Sequence, residues 1–202
     1  MPYSSEHKNE TRERILRSAR HLFNRKGFVA VTVGEVMKES GLTHGGFYNH
    51  FRSKEELYAE AIMQFGRNDP PEHWQTLGFD GTAEGERLAR LIVDAYLSRE
   101  HLDDRDGSCP MVGLPSDVAR GGSKLKSAFQ QVLEMMVGVF EAGMPHDKVP
   151  TRERAICMVA LCVGGMVLAR AVEDESLADE LRNTVRKRAN TQFSPTPEAR
   201  TN

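Results

Sequence analysis

Three places in this 202-residue chain combine residue types and spacing suited to chemistry. Cys109 stands directly before Pro110, a residue suited to the first position of a helix, so its thiol falls at a helix N-terminus. The partial positive charge there stabilises a thiolate. Cys157 and Cys162 lie inside an apolar run where burial keeps a thiol neutral, so Cys109 is the expected reactive cysteine and a candidate sensor of oxidants or electrophiles. With His101, Asp103 and Asp106 nearby it also has the residue types of a thiol enzyme, but no activating motif surrounds it. The acidic cluster Asp103, Asp104 and Asp106 before Gly107 invites comparison with a calcium loop; the first liganding position would fall on Leu102, so no metal is expected. The third place is Gly45-Gly46. Two glycines early in a short helix each cost roughly 1 kcal/mol against alanine, and they let the free N–H groups of a helix start come close to phosphate.

The elements that position those glycines are legible locally. Thr32 with Glu35 three residues on is a capping box, so a helix starts at Val33, with Val33, Val36 and Met37 on its buried stripe. Gly41 ends that helix in the left-handed conformation. Thr43 is placed to cap a second helix over 44–51, in which Phe47 and Phe51 point inward while His44, Gly45, Tyr48 and Asn49 face outward. Ser53 with Glu56 forms a second capping box and starts the next helix. Helix, glycine turn, helix is a helix-turn-helix.

The stretch from Ile15 to about Ile62, through ILRSARHLFNRKGF, the Thr32 cap, GLTHGGFYNHF and SKEEL, resembles the DNA-binding domain of the TetR family of bacterial transcriptional regulators. The resemblance implies that Thr32, Thr43, Tyr48, His50 and Lys54 contact phosphates and that His44, Gly45, Gly46 and Asn49 lie where bases are approached. Met37 stands where the family has a small residue at the helix crossing, and Gly46 where it often has a hydroxyl or methyl side chain. The crossing is then expected to be wider, with backbone contact replacing side-chain readout at Gly46. A looser similarity to one branch of the family lies in Cys109-Pro110 before a short helix ending Asp117-Val118-Ala119-Arg120.

The rest of the chain reads as helices. Residues 1–8 are expected to be a loose arm before a helix from Asn9 or Thr11, with Ile15, Leu16, Ala19, Leu22 and Phe23 buried and Gly27 at its end. Residues 66–81, dense in Pro, Gly and Asp, read as a loop. Helices follow over 82–100, over 110–120 with a break at Pro115, over 123–142, through the run AICMVALCVGGMVLA opened by Pro150, and over 177–189. That run is apolar all round and shorter than a membrane span. No alternating strand pattern occurs, so the fold class is all-α: a three-helix helix-turn-helix domain over 1–54, a linking helix over 54–66, a larger helical bundle over 67–190, and a polar tail from Asn190, with 191–202 disordered.

Composition agrees. The net charge of −2 conceals 10 Lys and Arg against 5 Glu in residues 1–54, leaving 17 against 24 for the remainder. One basic end suits an acidic polymer. No secretory segment is visible and the three cysteines make neither a disulfide framework nor a zinc pattern, so a reducing cytoplasm is expected, with no cofactor and no membrane. The resemblance implies a homodimeric repressor released from palindromic operator DNA by a small molecule or electrophile. Tyr96, Cys109, Met111, Phe129, Met136 and Met166 are candidates for lining that effector's pocket, methionine being an adaptable contact. Val159, Gly164, Gly165, Leu168, Leu181 and Val185 are candidates for the dimer interface, because two helices this apolar need a partner pair to bury them. The alternatives are a thiol-dependent enzyme and a DNA-binding protein without effector.

Overall fold

A computed structural model describes residues 5–65, 82–146, 149 and 151–193. Its helices are α1 (Ser5–Ala30), α2 (Val33–Glu39), a 3₁₀ helix (His44–Asn49), α3 (Lys54–Gln64), α4 (Gly85–Tyr96), α5 (Arg99–Asp103), α6 (Pro110–Gly113), α7 (Pro115–Arg120), α8 (Ser123–Gly143), α9 (Thr151–Ala171) and α10 (Glu175–Thr191). No strand occurs among the described residues. The loop expected over 66–81, with its tryptophan, lies outside them. Two compact units form: Met1–Asn68 with Arg105–Val132, and Asp69–Asp104 with Leu133–Asn202. Sequence placed everything beyond residue 66 in one bundle; the structure instead packs α6 and α7 on α1.

In the first unit α1 buries Ile15, Leu16, Ala19, Leu22 and Phe23. It starts at Ser5 rather than Asn9 or Thr11, because helix needs no buried side chain in its first turns and Glu6 complements the dipole there. Gly27 breaks it, with φ 76 and ψ 171, a conformation that a Cβ resists. The break leaves the Phe28 N–H without an acceptor in its own helix, and it donates to Asp117 Oδ2 at 2.7 Å. Arg120 holds the other oxygen of that carboxylate at 3.1 Å. Just upstream, Asn24 Nδ2 donates to the carbonyls of Asp106 and Ser108 at 2.9 Å each, and Arg25 forms a two-bond ion pair with Asp106. These partners belong to 105–132, which explains why that segment joins the first unit.

The capping box forms as read: Glu35 N donates to Thr32 Oγ1 at 3.2 Å and Thr32 N donates to Glu35 Oε2 at 2.8 Å. Those bonds, the Thr32 N–H first and then Lys26, hold the Glu35 carboxyl down at about 2. Gly41 takes φ 69 and turns the chain. The next helix departs from expectation. It is a 3₁₀ helix over His44–Asn49, and Thr43 makes no side-chain cap. Two glycines in six residues favour no regular helix, so burial of Phe47 and Phe51 sets the geometry. At α3, Ser53 accepts from Glu56 N at 3.1 Å, but the Glu56 carboxylate reaches Arg52 N, so the second box is only half closed.

In the second unit the helix expected over 82–100 ends at Tyr96, since Ser98 accepts from His101 N at 3.0 Å and starts α5. α9 packs along α10, where a Cβ on Gly165 would meet Val185 at 3.0 Å. Two arginines tie this hairpin down. Arg182, only 4% exposed, donates to Leu97 O at 2.7 Å and pairs with Asp179, and Arg170 donates to the carbonyls of His101 and Asp104. Each reaches carbonyls at the end of a helix, where positive charge is favourable. Disorder expected from Asn190 does not hold for its first residues: α10 runs to Thr191, and Phe193 is 2% exposed beneath the Arg90 guanidinium.

Removing the Asp117 carboxylate leaves a partly buried N–H without an acceptor, which costs about 1–3 kcal/mol. Urea unfolding of Asp117→Ala is expected to show that loss and Asp117→Asn to recover most of it; a loss under about 0.5 kcal/mol for the alanine variant contradicts the role.

Candidate nucleic-acid interface

The 3₁₀ helix presents its polar side outward on an apolar bed. Phe47 and Phe51, 0% and 1% exposed, stack at 5.8 Å beneath it. His44, Gly45 and Asn49 are exposed, and Tyr48 is 67% exposed with its ring edge-on to Phe47. Gly46 is half-buried above Met37, whose methyl would lie 3.5 Å from an added Cβ. The two departures from the family pattern therefore meet: the larger Met37 rises where Gly46 carries no side chain. Thr32 and Thr43 are exposed, the first with its hydroxyl engaged in the cap. Lys54 is half-buried, with Nζ 4.2 Å from the centre of the Phe28 ring; burial pushes its pKa down, and Glu55 and Asp117 pull the other way. Phe28 also stacks on Tyr58 at 4.7 Å, so the α1 break, the Lys54 ammonium and α3 share one aromatic cluster.

His50 borders a cleft of about 440 Å³ between the start of α1 and the 3₁₀ helix, with Lys8, Thr11, Arg14 and Asn49 also in its wall. Its Nδ1 is buried without a protein hydrogen bond. Desolvation first, then Lys8 and Arg12, hold its pKa below the ordinary value. The sequence alone suggests a loose arm over residues 1–8 with contacts to phosphates but singles out neither Lys8 nor Arg14; the signal available is the spacing of 8, 11 and 14 on one helical face.

The other candidate groups are not all brought together. Cys109, Met111 and Phe129 lie in the first unit and Tyr96, Met136 and Met166 in the second, so neither unit assembles the six. Of the interface candidates, Val159 and Gly165 are buried within their own unit, Gly164, Leu181 and Val185 are half-buried, and Leu168 is 56% exposed. Ile156, Leu161 and Val167, within the segment 154–189 that the sequence suggests as the interface but not singled out there, are exposed on the same helix. α9 is 21 residues long and apolar enough by length and composition to cross a membrane, unlike the shorter run it contains, but Met158, Cys162, Met166 and Ala169 on one side are packed inside the unit.

Two of the three cysteine expectations are corrected. Cys109 is 1% exposed and caps only a four-residue helix, whereas Cys157 is exposed. Local polarity suggested access at Cys109, but packing of α6 on α1 removes it. Cys162 is buried as expected, which pushes its thiol up to about 12. The enzyme residues are also engaged: His101 Nδ1 meets Tyr96 O at 2.7 Å, Asp103 pairs with Arg99, and Asp106 with Arg25. Two of the three carboxylates of the acidic cluster are thus paired with arginines.

Comparison with known proteins gives a consistent pattern. The family model for bacterial regulatory proteins of the tetR family matches residues 15–61. The chain is 37% identical over 160 residues to the HTH-type transcriptional regulator AcrR of Shigella flexneri, covering 74% of this chain and 73% of that one. It is 24% identical over 191 residues to the uncharacterized HTH-type transcriptional regulator YxaF of Bacillus subtilis (strain 168), covering 90% and 98%. The match to YerO of the same organism, another uncharacterized HTH-type transcriptional regulator, is 47% over 57 residues and spans 20% of that relative. Among solved structures the reduced form of E. coli NemR has a TM-score of 0.72 at 17% identity, covering 93% of this chain and 99% of that one, a likeness of fold.

Because the folded chain holds His50 below the ordinary 6.5, the unfolded chain takes up that proton first as pH falls, and stability drops below that point. Urea midpoints at about pH 7.5 and about pH 5.5 are expected to differ more for the wild type than for His50→Gln. Equal differences contradict the desolvated state of this histidine.

Proposed function

Because this chain belongs to the TetR family of bacterial regulatory proteins, we propose that it is a cytoplasmic, dimeric repressor released from palindromic operator DNA by a small molecule. The observation that carries the DNA reading is the exposed row of His44, Gly45, Tyr48 and Asn49 on a short helix braced by Phe47 and Phe51. Bases are approached by that row. Thr32, Thr43, Tyr48, His50 and Lys54 surround it and take the phosphates, which fix register without reading sequence. A phosphate beside His50 raises its lowered pKa, so binding takes up a proton and tightens as pH falls. One such row reaches few bases, and a two-fold pair doubles the site.

For the dimer the supporting feature is the apolar face of α9. Ile156 and Leu168 are 50% and 56% exposed, with Cys157, Leu161 and Val167 beside them, and a symmetric pairing of α9 and α10 with their copies buries that face in a four-helix bundle. Gly165 acts inside each subunit, against Val185, rather than between subunits. The effector is a small molecule held without a covalent bond, since burial of Cys109 withdraws the thiol best placed by sequence. On this reading the chain is not an enzyme, carries no cofactor and has no membrane partner.

Selection from random duplexes is expected to return a pseudo-palindrome, with affinity falling steeply in salt. Lys54→Ala should weaken binding to every duplex alike and reduce the salt slope by about one; no preference over random DNA sinks the reading. Separately, labelling of Cys157 by a thiol reagent should slow as protein concentration rises through the dimerisation range, while Cys162 stays unreactive at all concentrations. A chain that scatters light as a monomer at micromolar concentration refutes the dimer.

A further inference from the structure

We propose that the cleft between the first turns of α1 and the 3₁₀ helix is a second phosphate subsite, in which Lys8 and Arg14 hold the backbone of the duplex beyond the bases met by the reading row; this rests on the DNA-binding reading. The cleft, about 440 Å³, has Lys8, Arg14 and His50 in its wall and no carboxylate. Three other cations of α1 are paired in place: Arg12 with Glu60, Arg25 with Asp106 and Lys26 with Glu35. Lys8 and Arg14 are exposed and form no ion pair among the described residues.

Like charges gathered without counter-charge repel one another, and the arrangement is relieved when an anion enters. His50 reports that field from inside the cleft, since Lys8 is among the charges that disfavour its protonation, and its buried Nδ1 lacks a protein partner. The volume equals about fifteen waters, at roughly 30 Å³ each, which admits a phosphodiester with its sugar. Position selects the polymer: Asn49, on the reading row, is also part of the cleft wall, so a duplex whose bases meet Asn49 brings its backbone to the cleft mouth. α1 thus adds to the DNA footprint a contact that the helix-turn-helix does not supply.

The full chain and its Lys8→Ala, Arg14→Ala and double variants are titrated with the selected operator and with a scrambled duplex of equal length, between about 50 and about 200 mM salt. Each phosphate contact contributes about 0.9 to the slope, so the double variant should lose about twelvefold less affinity across that range than the wild type. Both duplexes should weaken by the same factor, leaving the operator preference intact, and thermal unfolding should be no lower than that of the wild type, since both side chains are exposed and their removal relieves repulsion. A folded double variant with the wild-type slope overturns the proposal, as does weakened binding at an unchanged slope. A wild-type chain with no operator preference fails earlier, at the DNA reading itself, and takes the subsite with it.

Discussion

The first unit depends on one displaced hydrogen bond. At Gly27 the backbone leaves the helix and the Phe28 N–H passes to a carboxylate 89 residues further on, in a segment that local sequence assigns to the other end of the molecule. A glycine without Asp117 leaves an unsatisfied donor; Asp117 without the break has nothing to accept. An added Cβ on residue 27 would lie 2.9 Å from that carboxylate oxygen, so the small side chain and the acceptor require each other. Phe28, fixed there, carries its ring to Tyr58 and to the Lys54 ammonium. Segment 105–132 thereby governs where a candidate phosphate ligand stands.

Electrostatics divides the unit into settled and unsettled charge. Acidic partners are committed where position must be held: Glu35 at the cap, Asp106 on Arg25, Asp117 at the break. Around the reading row such partners are absent from the cleft, and burial keeps both His50 and Lys54 less basic than usual. A site poised in this way gains more from an arriving phosphate than a row of already paired cations would, because no internal ion pair has to break first.

How much was legible follows from distance along the chain. The Thr32 box, the Gly41 turn, the inward Phe47 and Phe51 and the interruption at Pro115 rest on atoms within a few residues, and each stands in the structure where sequence placed it. What involved remote partners was not legible. Spacing alone argues against a calcium loop at Asp103, Asp104 and Asp106, but the partner of Asp106, Arg25, lies 81 residues away and nothing local announces it. Cys109 was misjudged for the same reason, since accessibility belongs to whatever packs on α6. The 3₁₀ geometry of the reading helix lay between these extremes: its two glycines were noted, but their consequence for hydrogen-bond pattern depends on how Phe47 and Phe51 are seated.

The adjacent glycines of α9 face different surroundings, and the difference bears on engineering. Replacing a helical glycine with alanine commonly raises thermal stability by restricting the unfolded chain. At Gly165 that substitution pushes a methyl to 3.0 Å from Val185 and forfeits the gain, whereas at Gly138, in α8, nothing lies within 4 Å. Gly164 is equally open within one subunit, yet it borders the face assigned to the second copy. A thermostabilised version of this protein therefore begins at Gly138, and laboratory drift at residue 165 will be confined to glycine for as long as Val185 remains.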